Sequence, residues 1–472
     1  MERLTGLDAG YLYLETPTLH MHTLKISVLD PSTVPGGYSF SRVRDELERR
    51  LHLLPPFRRR LVEVPFGLTH PVWIEDPDFE LDWHLHRIDV PAPGGQREFC
   101  EVISEIASHQ LDRSHPLWEI WVVEGLAGGR IGFVAKLHHS VADGVAAAAL
   151  LANVLETDPE PRDPRPPADA WTPEAVPTKR ALIRAAVVDL AASARGVPEL
   201  LRRTVRGMRE VRAVRRRYPE VPAATPLNTP KTRFNGSLST QRIFATTTVP
   251  LDEVKEVRRA FGVTVNDVVL GMCAGALLRY LEAHGDHLDK PLLAGVPVSV
   301  EGPTDTPRLA GNAVSNLFIS LRTDIGDPVK RLQAIHESAV VAKEVHAALG
   351  ADMLADWSEL APPRPFAAWM RLYSRLRLAD YHPPPQNAVI SNVPGPTEPL
   401  YIAGAKLAEL YSTGPILEGI GLNVTVWSYL GTLYFGLISC RELMPDLWDL
   451  AEFLPDALAE LRAAAGPAAV PS

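Results

Sequence analysis

The groups able to do chemistry are concentrated in seven residues, His138-His139-Ser140-Val141-Ala142-Asp143-Gly144. An ordinary imidazole titrates near neutral pH, so it can take a proton from a hydroxyl and later return it. The motif follows Ile131-Gly132-Phe133-Val134-Ala135-Lys136-Leu137, an apolar run that reads as a strand. Adjacent strand residues point to opposite faces. His139 shares parity with Phe133, Ala135 and Leu137, and His138 with Val134 and Lys136. The two rings therefore should not converge on one atom, which argues against one ion held by His138, His139 and Asp143. No nearby Glu, Cys or further His completes a set, so no metal is expected. His20-x-His22 and His84-x-His86 lack a third ligand and read as packing or hydrogen-bonding residues. No Ser or Cys sits in a nucleophile elbow, so a covalent acyl-enzyme is not expected. Asp143 precedes a small apolar helical stretch, Val145 to Leu155, where it can serve as a plain N-cap.

The elements that must position this motif alternate along the chain. Strands are expected at Leu19–Leu29, Trp118–Val123, Ile131–His139, Gln241–Val249, Pro291–Val300, Asn316–Leu321 and Ala388–Val393. Helices are expected at Phe40–Leu53, Arg97–Gln110, Leu251–Phe261, Asp267–Leu281, Pro328–Ala347 and Leu447–Ala464. Gly419 to Cys440 carries no charge and is long enough to cross a bilayer. Its alternation at Leu422, Val424 and Val426, and its break at Gly431-Thr432, point instead to a buried hairpin. Glu156 to Pro177 is rich in Pro and acid and reads as an exposed, irregular linker. From Lys179 to Arg217, one Lys and eleven Arg face three acids, a net of +9. Such a run can touch anionic lipid, but it is more simply the solvated face of an interdomain helix, and we favour that reading.

With 472 residues the chain exceeds a single core. We divide it into an N-terminal domain 1–158, a linker with a basic helix 159–234, and a C-terminal domain 235–465. Both domains read as α/β (α+β), with a cleft or tunnel between them. The net charge of −9 argues against nucleic acid as a partner. Cys100, Cys273 and Cys440 lie far apart and suit a reducing compartment. The N-terminus has no signal-peptide pattern, so a cytoplasmic location is expected.

His-His-x-x-x-Asp-Gly resembles the active-site motif of the chloramphenicol acetyltransferase-like enzymes, which include peptide-synthetase condensation domains. Further stretches, in order, are similar to the bacterial wax ester synthase/diacylglycerol acyltransferase family, of the actinobacterial triacylglycerol-synthase kind. They are Leu7-Asp8-Ala9-Gly10, Leu14-Glu15-Thr16-Pro17, Pro56-Phe57-Arg58-Arg59-Arg60-Leu61, Pro116-Leu117-Trp118-Glu119, Asn266-Asp267 and Val296-Pro297-Val298-Ser299. Ser391-Asn392-Val393-Pro394-Gly395-Pro396, Gly421-Leu422-Asn423-Val424-Thr425 and Tyr434-Phe435-Gly436 follow. The likeness implies two chloramphenicol acetyltransferase-like domains and acyl transfer from acyl-CoA to diacylglycerol, or to a fatty alcohol, with no cofactor. It implies His139 as the general base that deprotonates the acceptor hydroxyl and protonates the departing thiolate.

The same resemblance makes His138 and Asp143 structural, with an Arg of Arg58-Arg59-Arg60 as partner of Asp143. Gly144 allows close backbone approach to substrate. Asn266 as an N-cap and Asp267 in the first turn explain that pair by capping alone; the likeness moves them toward a supporting role. Ser299, Ser391, Asn392 and Gly395 become candidate substrate contacts, while Trp118 reads as core. Lipid substrates imply peripheral contact with a membrane or lipid-droplet surface, the basic segment being the first candidate. Two departures stand out: Ser299-Val300-Glu301-Gly302 lacks the Arg that often follows Val-Pro-Val-Ser, and Cys440-Arg441 lacks an Asp before its Arg.

Overall fold

The computed structural model describes residues 1–160, 164, 166, 171–301, 308–350 and 352–466. Parts of the Pro-rich linker, and Gly302 of the first departure, lie outside the described residues. Two six-stranded sheets dominate. The first runs, edge to edge, Tyr401–Ile402, Ala405–Thr413, His22–Asp30, Arg130–His138, Trp118–Leu126, Leu85–Asp89. The second runs Val314–Ser320, Leu293–Ser299, Ala388–Val393, Leu422–Tyr429, Thr432–Cys440, Arg242–Pro250. Both mix parallel and antiparallel pairs.

The uncharged stretch near the C-terminus is the expected hairpin. Leu422–Tyr429 and Thr432–Cys440 pair antiparallel, and Val424, Val426, Leu433, Phe435 and Leu437 enter the core of the second sheet. Among the described residues, no single helix is long and apolar enough to cross a membrane. The helix Val265–Ala283 is buried along most of its length, packed against the helices Leu447–Ala465 and Pro328–Leu349 and touching the second sheet at Ala388–Val393.

The division at residue 235 is not a division between sheets. Ala405–Thr413, from the C-terminal half, pairs antiparallel with His22–Asp30 and extends the first sheet. Its neighbour in sequence, Leu422–Tyr429, lies in the second sheet, so the chain crosses between sheets within ten residues. The sheets approach closely where Gly436 faces the carbonyl of Ser412, which leaves no room for a Cβ. The Gly of Tyr434-Phe435-Gly436 is thus explained by this approach.

The basic segment is one helix, Lys179–Arg217. It lies along the helix Pro328–Leu349. Arg217 pairs with Glu344 at 3.1 Å and Arg203 with Asp356 at 2.8 Å. Its Val187, Val188, Leu201, Val205 and Met208 remain exposed.

Candidate active site

The strand Arg130–His138 ends at the motif. His138 opposes His22 in register, and the His139 amide donates to the Met21 carbonyl at 2.7 Å. A turn closed by Val141 N–H on the His138 carbonyl, 2.9 Å, leads into the helix Gly144–Ala152. The Ala-rich sequence of this helix is a strong helix former. Its Ala147 and Leu150 face Phe133, Ala135 and Leu137 of the sheet.

The two histidines separate as strand parity predicts. His138 is buried, and its Nδ1 accepts from the Ser140 amide at 3.1 Å. Its neighbours are Glu15 and His22, and burial holds its pKa well below the ordinary value. His139 instead lines a cavity of about 410 Å³ between the two sheets, within the usual size of small-molecule sites. The walls are mostly apolar, with Leu7, Tyr11, Met21, Phe318, Val389 and Ile420 among them.

Asn312 fixes the imidazole. Its Nδ2 donates to the His139 carbonyl and to Asp8 Oδ1, both at 2.7 Å. Both partners are acceptors, so the amide orientation is assigned and its Oδ1 must accept. That oxygen lies 3.0 Å from His139 Nδ1, which places the proton on Nδ1 and a lone pair on Nε2. Tyr11 stacks on the ring at 4.2 Å between centroids. Burial lowers the His139 pKa, against its own carbonyl, Asp143 and Asn312, which raise it. The base is therefore neutral at neutral pH.

Asp143 is both cap and ion pair. Oδ1 accepts from the amides of Val145 and Ala146 at 3.0 and 2.9 Å. Oδ2 accepts from Arg308 at 2.7 Å and from the Ala313 amide at 2.8 Å. Its partner is thus Arg308, not an Arg of 58–60. Those three are engaged elsewhere: Arg60 pairs with Asp76 at 3.2 Å, Arg59 with Glu2 at 2.8 Å, and Arg58 lies over Trp171. The departing residue Glu301 pairs with Arg308 at 3.4 Å. The segment carrying Arg308 and Asn312 is stitched to the motif by Gly311 N–H on the Val141 carbonyl, 2.7 Å, and Asp143 N–H on the Gly311 carbonyl, 3.2 Å.

The remaining candidates divide. Gly144 lines the cavity, and a Cβ there would meet nothing within 4 Å, so packing alone does not require this Gly. Ser391 lines the cavity between Val389 and Val393, whereas Asn392, of opposite parity, is not among the lining residues. Ser299 lies outside it too, its Oγ accepting from the Glu301 amide at 3.2 Å. Gly395 packs against the Ser428 carbonyl, and its amide donates to Ser428 Oγ at 3.0 Å; its missing side chain serves that contact. Asn266 and Asp267 do not reach the cavity lining. The helix is capped by Thr264 rather than Asn266, and Asp267 completes a capping box while accepting from His336 Nδ1 at 2.7 Å.

Other motif residues are scaffold. Trp118 is sandwiched between Phe57 and His84, each at 4.3 Å, and donates to the Phe57 carbonyl at 2.7 Å. His20 bonds to the Pro17 carbonyl at 3.0 Å, and His22 Nε2 accepts from the Leu111 amide at 3.3 Å. Among the described residues, no group of three His, Cys, Asp or Glu is placed to hold a metal ion. Asn312 and Arg308 escaped the sequence reading; Arg308 is the first Arg after the Val-Pro-Val-Ser stretch, the one local signal for it.

The comparisons agree with this architecture. Residues 4–269 match the family model for the wax ester synthase/diacylglycerol acyltransferase catalytic domain, and residues 310–462 match that for the WS/DGAT C-terminal domain. Two Mycobacterium tuberculosis H37Rv proteins named for diacylglycerol O-acyltransferase activity are each 39% identical. One aligns over 470 residues, covering 98% of this chain and 90% of its own. The other aligns over 467, covering 99% and 97%. A solved wax ester synthase/diacylglycerol acyltransferase from Marinobacter aquaeolei VT8 is similar at 28% identity and TM-score 0.68, covering 98% of this chain and 100% of that one. The first condensation domain of the CDA synthetase shares the fold at 16% identity and TM-score 0.56, covering 99% and 97%. The chain belongs to the wax ester synthase/diacylglycerol acyltransferase family.

Proposed function

We propose that the protein moves a long-chain acyl group from acyl-CoA to the hydroxyl of diacylglycerol, forming triacylglycerol, with His139 as general base. The observation that carries the reading is the imidazole lining a mostly apolar cavity, its Nδ1 anchored by Asn312 and its Nε2 without a protein partner among the described residues. Nε2 takes the hydroxyl proton as the oxygen attacks the thioester carbonyl. The tetrahedral centre collapses, and the imidazolium returns the proton to the thiolate of CoA. Holding both substrates at one imidazole makes the encounter effectively unimolecular. No cofactor enters this scheme; acyl-CoA is a co-substrate. A second cavity of about 250 Å³ shares Ser315, Asn316, Phe318 and Leu354 with the first, which favours a long apolar chain.

The test is purified protein with radiolabelled long-chain acyl-CoA and either diacylglycerol or a fatty alcohol. Triacylglycerol is expected; wax ester alone would reassign the acceptor, and absence of any ester would overturn the reading. His139→Ala should abolish turnover without unfolding the protein. Peripheral lipid contact belongs to the same proposal, supported by the exposed apolar residues beside Arg206 and Arg209 on the basic helix. Co-sedimentation with anionic vesicles should fall when Arg202, Arg203, Arg206 and Arg209 are neutralised. Unchanged binding would leave the helix as an interdomain brace.

A further inference from the structure

Lys25 lies in the middle of the strand His22–Asp30, with its side chain 5% exposed. Its parity is that of Thr23, and both line the cavity that holds His139. In the sheet it stands between Ala135 and Ser412. Its ammonium donates to Ser412 Oγ at 2.8 Å and sits over the face of Trp427, 4.9 Å from the ring centroid. Among the described residues no carboxylate comes within ion-pair distance of it. An ammonium has three N–H donors, and one hydroxyl uses one of them.

A buried cation without a counter-ion is costly, because burial strips its water and one hydroxyl and an aromatic face replace it only in part. Burial lowers the Lys25 pKa to about 8, so most of the population is still charged at neutral pH. A sheet interior at this position would be served better by an apolar side chain. Lys25 lines the same cavity as His139 and Asp143, so its charge faces the space in which the reaction takes place. Asp143, the one carboxylate among the lining residues, is already engaged by Arg308, the Ala313 amide and two helix amides; the reaction proposed above creates a negative charge that is not.

We propose that Lys25 is a catalytic residue that donates to the acyl carbonyl oxygen and holds the negative charge this oxygen gains during transfer. The inference rests on the acyl-transfer reading. As the hydroxyl oxygen bonds to the thioester carbon, its proton passes to His139 Nε2. The C=O π pair moves onto the carbonyl oxygen, facing the Lys25 ammonium. The pair then returns, the C–S bond breaks, and the thiolate takes the proton from His139. Lys25 stays protonated throughout, and no other reactant is needed. Donors that meet charge only as it develops lower the barrier more than they tighten substrate binding.

The experiment compares wild type, Lys25→Met and Lys25→Arg in the ester-forming assay, each checked for folding by circular dichroism. Lys25→Met should lose about 100-fold in kcat, with KM for acyl-CoA changed less than about threefold. Lys25→Arg should recover at least tenfold of that loss. The wild-type kcat should fall on the alkaline side near pH 8 as Lys25 loses its proton, and Lys25→Arg should move that limb beyond about pH 10. This last readout stays usable if Lys25→Met does not fold. Full kcat in folded Lys25→Met, or an alkaline limb unmoved in Lys25→Arg, overturns the role of Lys25 alone. If wild type makes no ester from acyl-CoA with any acceptor, the acyl-transfer reading fails and this inference with it.

Discussion

Asn312→Ala tests how the imidazole is held. The substitution removes three hydrogen bonds: from His139 Nδ1, to the His139 carbonyl, and to Asp8. Neutral bonds contribute about 0.5–1.5 kcal/mol each and one to a carboxylate about 1.5–3, so the total is about 2.5–6 kcal/mol. Net stabilities are about 5–15 kcal/mol, so the variant should still fold, with Tm lower by roughly 2.5–6 °C for a chain of 472 residues. The catalytic effect has a separate origin. Without the Asn312 acceptor, nothing in the described site keeps the proton on Nδ1, and a ring protonated on Nε2 cannot act as base there. Losing the ring bond alone is worth about fivefold. With the wrong tautomer and a freer ring, kcat/KM should fall about 10- to 100-fold, while KM for acyl-CoA holds.

The assay is steady-state ester formation below the new Tm. Asn312→Asp sharpens it. A carboxylate keeps the Nδ1 acceptor but favours the imidazolium, so the acid limb of kcat/KM should move to higher pH than in wild type. Folded Asn312→Ala with wild-type kcat/KM, or Asn312→Asp with an unmoved acid limb, refutes the argument that Asn312 sets the tautomer.

Three further outcomes follow from the same geometry. A double-mutant cycle on Asp143 and Arg308 should give a coupling of about 1–3 kcal/mol, with Asp143→Ala losing about 1 kcal/mol more than Arg308→Ala because it also uncaps a helix; additive effects in denaturant melts would break the pair. Burial pushes His20 and His84 down to about 4, and His22, His138 and His139 are also lowered. As pH falls from about 6.5 toward 4, the unfolded chain binds protons that the folded one refuses. Stability should then drop by up to about 1.4 kcal/mol per pH unit per histidine, and equal urea midpoints at pH 7.5 and 4.5 would contradict this. Gly311 holds φ +76°, and a Cβ there would lie 3.3 Å from Asp8 Oδ2. Gly311→Ala should therefore cost about 1–2 kcal/mol and reduce turnover through Asn312, whereas unchanged melting and activity would show that the segment tolerates the change.

Local chemistry made much of this molecule legible. Parity assigned His138 and His139 to opposite faces, and the alternation at Leu422, Val424 and Val426 marked a hairpin rather than a membrane span. The strand Ala405–Thr413 and the helix Pro363–Arg375 were not read. The strand carries Lys406, Glu409 and Ser412 among its apolar residues and a register shift between Leu407 and Glu409, which blurs a period of two. The family resemblance points to Arg58, Arg59 or Arg60 as the partner of Asp143, because they lie in a recognisable stretch. Those side chains are held by Glu2, Asp76 and Trp171, and no pattern near the motif points 165 residues onward to Arg308.

That distance carries a consequence for how the site is built. His139 comes from the first sheet, but the residue that fixes its tautomer and the cation that braces its loop both come from the segment 308–313, which leads into the second sheet. Lys25 and Ser412 face the same cavity from two strands of the first sheet, one of them supplied by the C-terminal half. The base therefore acquires its orientation only when the two halves are docked, and the crossing strand Ala405–Thr413 makes that docking part of the first sheet itself. A motif seven residues long names the reacting group; the geometry that makes it a base is a property of the whole chain.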